Sequence, residues 1–178
     1  MIRKLVTHAL RRLRRALATW PDASGWRFSG LAGAATLAGM AIVGFAGGLY
    51  RLQPPELSGL PLRLVSVIFV PALGEEAVFR GLFVPNRAEA ARPWAAIVVT
   101  TAIFTGWHVA ETLYLPGAAA TFLRPDFLAC AAILGVGCAV ARWRTGSLWP
   151  AVMLHWLAVV VWQTWLGGPG LETLQRPG

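Results

Sequence analysis

The chain has 178 residues, of which 56% are hydrophobic and only 13% charged. Soluble globular domains carry about 25% charged residues, so this composition, with a mean hydropathy of +0.57, excludes an ordinary soluble domain and predicts an integral membrane protein. The net charge is +8; its cations gather near the N-terminus and in short loops, which suits anionic lipid and topology control rather than nucleic acid.

In chain order, residues 2–20 predict a basic amphipathic helix. Ile2, Leu5, Val6, Ala9, Leu10, Leu13, Leu17 and Trp20 recur at helical spacing, and Arg3, Lys4, Arg11, Arg12, Arg14 and Arg15 fill the other face. Such a helix lies on an anionic membrane surface. No short apolar core followed by a small-residue cleavage site marks a signal peptide. Pro21–Ser29 reads as a linker. Residues 1–29 therefore form a surface segment, and 30–178 a membrane-embedded domain. Five apolar runs follow: Leu31–Tyr50, Leu64–Val84, Trp94–Leu115, Phe127–Trp143 and Leu148–Leu166. Each is about long enough for a hydrocarbon core of ~30 Å. Arg51–Arg63, Asn86–Pro93 and Pro116–Asp126 read as loops, Arg142–Ser147 as a basic turn, and Gly167–Gly178 as a loose tail. The expected fold is all-α: a polytopic helical bundle of about five transmembrane helices plus the N-terminal interfacial helix.

Five spans place alternate loops on opposite sides. The N-terminal side then holds Arg87, Arg92, Arg142 and Arg144 besides the basic helix, and the other side Arg51, Arg63, Arg124 and Arg176. By the positive-inside rule the N-terminus is cytoplasmic. Tryptophans at span ends, such as Trp94, Trp143, Trp149 and Trp165, suit an interfacial belt. Cys130 and Cys138 are eight apart in an apolar run, about 12 Å along a helix, which is too far for a disulfide.

Within the spans the ionisable groups are few: Glu75, Glu76, Arg80, His108, Glu111 and His155. Charges there are costly unless paired or hydrated, and their presence marks function. Glu76 and Arg80 are i and i+4 and can pair. Glu75 is rotated about 100° away and can face another neighbour. Glu111, near a span end, reads as a solvated interfacial carboxylate. A carboxylate desolvated by a bundle becomes a stronger base and can take a proton from water; histidines can orient that water or steady an oxyanion. A glutamate and two histidines also match a zinc set, although no HExxH is present. Singly, each group has a structural reading: Glu76–Arg80 as a clamp, His108 or His155 as packing. Their joint occurrence on three helices carries the argument for a site.

Three stretches make a pattern. Glu75–Gly81 reads EExxxRG, Phe104–His108 reads FxxxH, and Ser147–His155 reads SLWPAVMLH. In that order they resemble the CPBP family, the CAAX-prenyl-protease-like and bacteriocin-processing intramembrane proteases that include the Rce1-type endopeptidases. The resemblance covers Glu75 to His155 and is to compact bacterial members. It implies a helical fold with a cavity open to the bilayer, in a bacterial inner membrane. It implies an intramembrane endopeptidase acting on a membrane-tethered peptide or protein. It matches Glu75 to the water-activating glutamate, His108 to a water-holding histidine, and His155 to a histidine near the oxyanion. Glu76 and Arg80 match accompanying residues. The family's better-understood members resemble glutamate-dependent enzymes, so no cofactor is expected, with zinc as the lesser alternative. One position departs: the family's third motif commonly carries a polar side chain one turn after the histidine, and here that residue is Val159. Losing one oxyanion donor typically costs about 100- to 1000-fold in rate. Thr101, Thr105 and Gln163 are the candidate substitutes. The alternative expectation is a catalytically impaired member acting as a membrane binding, immunity or scaffold protein; an ion or proton pathway is a weaker one.

Overall fold

A computed structural model of the protein describes residues 2–55, 57 and 59–175. Met1, the first residue of the expected surface segment, and residues 176–178, with Arg176 of the expected tail, lie outside the described residues. Among the described residues the regular structure is entirely helical.

Helix α1 spans Ile2–Ala18, as the amphipathic pattern predicts. Helix α2 spans Ala23–Gly47 and so begins inside the stretch expected to be a linker. The reason is a cap: Asp22 accepts a hydrogen bond from the Gly25 backbone N–H at 2.7 Å, satisfying one of the orphan donors of the first turn. That N–H, and then the Ser24 hydroxyl, hold the Asp22 carboxyl below its ordinary value. Gly48 ends the helix at φ +77° and returns its N–H to the Phe45 carbonyl, a left-handed stop that favours glycine.

The second expected span is helical but interrupted. Helix α3 spans Leu60–Val67 and gives way to wide π-type turns over Ile68–Leu73. The Val70–Pro71 peptide is cis, and Val70 is extended at φ −135°, ψ 113°. Proline lacks an N–H and pushes its predecessor out of helical geometry, so Leu64–Val84 is not one straight helix. A short helix α4, Gly74–Glu76, follows, and π-type turns resume over Ala77–Leu82. The two glutamates therefore sit between two wide turns, a feature frequent at functional sites.

Helix α5 spans Trp94–Glu111, α6 Ala119–Phe122, α7 Pro125–Thr145, α8 Trp149–Trp165 and α9 Leu171–Gln175. The expected loop before α7 thus contains a helical turn. The expected tail is not loose over its described part: Gly117 N–H donates to the Leu174 carbonyl at 3.0 Å, and Leu174 is buried.

Helix α7 is the centre, packed against α2, α5 and α8. Small residues let the helices approach closely. A Cβ added to Gly137 would overlap the Thr36 side chain, and one added to Gly47 would overlap Asp126. Cys130 and Cys138 are free and buried; their thiols donate to the Met40 and Ala151 carbonyls at 3.5 Å. The outer faces of α2, α3 and α5 expose Leu31, Ile42, Leu62, Val65, Val98 and Ile103. That surface suits lipid and would be a liability in water. By length and composition, Ala23–Gly47 and Pro125–Thr145 are able to cross a membrane.

Candidate active site

Glu76 and Arg80, fully buried, form the expected i, i+4 pair, with Arg80 Nη1 3.1 Å from Glu76 Oε1. The same oxygen receives a second bond. His155 Nδ1, from α8, lies 2.9 Å from Glu76 Oε1; a carboxylate only accepts, so that nitrogen carries the proton. Arg80 also rests 4.1 Å above the centroid of the Phe104 ring, a cation–π contact across to α5. A Cβ added to Gly135 of α7 would stand 3.0 Å from Arg80 Nη2 and 3.3 Å from the Phe104 ring. The glycine makes room for the guanidinium.

Glu75 turns to the other side. Its Oε2 lies 3.9 Å from His155 Nε2 and is buried without a hydrogen-bond partner. His108 approaches from α5. Its Nδ1 is 2.9 Å from the Phe104 carbonyl, which fixes the proton there and leaves Nε2 with a free lone pair. Phe104, Phe122 and Phe127 meet the imidazole edge-on at centroid separations of 4.8, 5.5 and 5.3 Å and hold its orientation. One donor atom each from Glu75, His108 and Glu111 lie within 4.8 Å of one another.

The five expected site residues thus converge from three segments of the chain. Glu111 joins them, although its position near a span end reads as interfacial in the sequence. The available signal was its i+3 relation to His108. The donor set Glu75, His108 and Glu111 supplies one imidazole and two carboxylates, types that hold a divalent cation; it differs from the expected one glutamate and two histidines. Of the candidates for the donor missing at Val159, Gln163 is committed elsewhere, donating to the Pro169 carbonyl at 3.1 Å. The Thr101 and Thr105 hydroxyls are buried without hydrogen-bond partners.

Glu76, Arg80, His108 and His155 are buried together, with the half-buried Glu75 beside them, behind helices whose outer faces are apolar, an arrangement that belongs to a membrane-integral protein. The model of the type II CAAX prenyl endopeptidase Rce1-like family matches residues 57–161. The chain belongs to this family of membrane proteases, whose members act on membrane-associated substrates. No curated protein and no solved structure matches the chain.

Proposed function

We propose that the protein is an intramembrane endopeptidase that hydrolyses a peptide bond of a membrane-tethered peptide or protein. One observation carries the reading: Glu75 presents a buried, unbonded carboxylate oxygen between His155 and His108, side chains from two other helices. Glu75 takes a proton from a water molecule, whose oxygen attacks the scissile carbonyl carbon. His108 Nε2 accepts the water's other O–H and orients it. His155, gripped through Nδ1 by Glu76, donates from Nε2, when protonated, to the oxyanion. Glu75 then returns its proton to the leaving amine as the carbon–nitrogen bond breaks. Arg80 balances Glu76, so that Glu76 holds His155 rather than competing for the proton. Thr101 and Thr105 stand in for the donor absent at Val159.

The setting proposed is a bacterial inner membrane crossed five times, with the N-terminus cytoplasmic; residues 1–29 lie at the surface and 30–178 within the bilayer. No cofactor is required. A divalent cation, if bound, would be held by Glu75, His108 and Glu111 and would supply Lewis acidity. A second reading follows from Val159: with no hydrogen bond to give, it favours a member that binds its peptide without cutting, as an immunity or scaffold protein.

A single turnover in H₂¹⁸O separates the routes. Direct attack by water places the label in the new product carboxylate. Attack by the Glu75 carboxylate itself would form a mixed anhydride, and water opening it at the Glu75 carbonyl would leave the product unlabelled and the label in Glu75; that result would contradict the assignment, and a peptide held but uncut would favour the binding reading.

A further inference from the structure

Helix α1 lies outside the matched family region, yet it is built into the candidate site's framework. Its apolar arc is divided. Leu13 and the fully buried Ala16 pack against Ala72, Ala77 and Leu148. A Cβ on Gly81 would meet Leu13 Cδ1 at 2.5 Å. Leu148 N–H donates to the Ala16 carbonyl at 2.9 Å, and Trp149 Nε1 to the Leu17 carbonyl at 3.0 Å. Arg12 makes the most direct connection. Its Nη1 donates to the Leu82 and Phe83 carbonyls at 3.1 and 3.3 Å. These end the helical segment that carries Glu75, Glu76 and Arg80, where carbonyls lack helical partners and a cation is favourable. Glu89 Oε2, 3.0 Å from Arg12 Nε, fixes the guanidinium from the other side.

The rest of α1 faces outward. Val6, Leu10 and Leu17 are exposed, at 53%, 56% and 36%, beside the exposed cations Arg3, Lys4, Arg11, Arg14 and Arg15. A shallow, open apolar strip runs along this edge, formed by Leu10, Leu13, Leu17 and Ala18, with Arg14 its one charged residue. An apolar strip flanked by guanidinium groups is complementary to acyl chains beneath anionic headgroups. Neutral lipid would leave the exposed cations without counter-charges.

We propose that α1 is a docking surface for an anionic phospholipid leaflet, and that Arg12 transmits its seating to the Glu75–Arg80 segment as a positioning residue. That the segment is catalytic rests on the peptidase reading; the docking and its transmission do not. Leu13 and Arg12 touch the segment's C-terminal end while Leu10, Arg14 and Leu17 touch the lipid. Lipid-driven movement of α1 therefore bears directly on the turns that hold the two glutamates.

The test uses the full chain in vesicles of phosphatidylcholine alone and of phosphatidylcholine with about one-third phosphatidylglycerol. Amide hydrogen exchange is read over Leu10–Ala18 and Ala77–Val84. Exchange in both segments should slow about threefold or more in the anionic vesicles. The Arg11→Gln/Arg14→Gln/Arg15→Gln variant, whose side chains lie outside the packed core, should lose both differences. Arg12→Gln should keep the difference in α1 and lose it at Ala77–Val84, and Arg12→Lys should restore part of it. Equal exchange in the two vesicles overturns the docking surface. A lipid effect confined to α1, or one that survives at Ala77–Val84 in Arg12→Gln, overturns the transmission. If Arg12→Gln fails to fold, the triple variant still decides the docking, and Arg12→Lys decides the transmission: a lipid difference at Ala77–Val84 undiminished in Arg12→Lys overturns it. No readout depends on peptide cleavage, so failure here is distinct from failure of the hydrolytic reading.

Discussion

Glu76 is bound twice through a single oxygen, by Arg80 at 3.1 Å and His155 at 2.9 Å. Replacing it with glutamine removes a buried negative charge and strands the Arg80 cation. Breaking a buried pair in this way costs about 3–5 kcal/mol, so Glu76→Gln should lower the unfolding midpoint in mixed micelles sharply; an unchanged midpoint would mean that the pair is solvated. The Glu76–Arg80 half of this arrangement is legible in the sequence, because four residues make one helical turn. The His155 half is not, since it joins positions 79 apart and depends on how α8 packs. Glu111 is part-exposed at the end of α5, as its nearness to a span end suggests, but that nearness does not say which way it faces, and its approach to Glu75 and His108 shows only in the packed structure. Gly135 is invisible as a site feature until the Arg80 guanidinium is seen lying against it.

The apolar runs Trp94–Leu115, Phe127–Trp143 and Leu148–Leu166 centre close to α5, α7 and α8; α2 begins well before its run, and Leu64–Val84 is broken into several segments. Asp22 caps α2 through a single side-chain bond, a signal outweighed by the polar composition of Pro21–Ser29. Pro71 was a plain breaker inside an otherwise apolar span, and the extended Val70 is its consequence. The N-terminal helix was predicted from its periodicity, but periodicity cannot divide an apolar arc between protein and lipid. Close packing gives a prediction at this scale. In α7, a Cβ at Gly137 would overlap Thr36 of α2, a β-branched and therefore stiff neighbour, whereas Gly30 has open space around its Cβ position. Gly137→Ala should destabilise the chain by about 1–3 kcal/mol, while Gly30→Ala, at an exposed helical site, should stabilise it by about 0.5–1 kcal/mol. Unfolding of the two variants side by side in mixed micelles checks the difference.

For the whole molecule, composition and charge bias were sufficient to read a membrane protein, and family membership follows from the match over residues 57–161. The orientation is a prediction. Reporter insertions in the Gly146 turn should report the cytoplasm and insertions near Gly117 the opposite side; the reverse pattern would invert the topology. The tertiary assembly of the site lay beyond sequence pattern, because Glu75, His108 and His155 meet only through the packing of α5 and α8 around the interrupted motif segment. The most direct test of the central claim is cleavage of a membrane-tethered substrate by Glu75→Gln in chelator-treated vesicles, compared with the unaltered chain under the same treatment. The account predicts that the unaltered chain retains its rate while Glu75→Gln loses it by about 10²- to 10⁴-fold, the usual contribution of a general base. Undiminished cleavage by Glu75→Gln would contradict it.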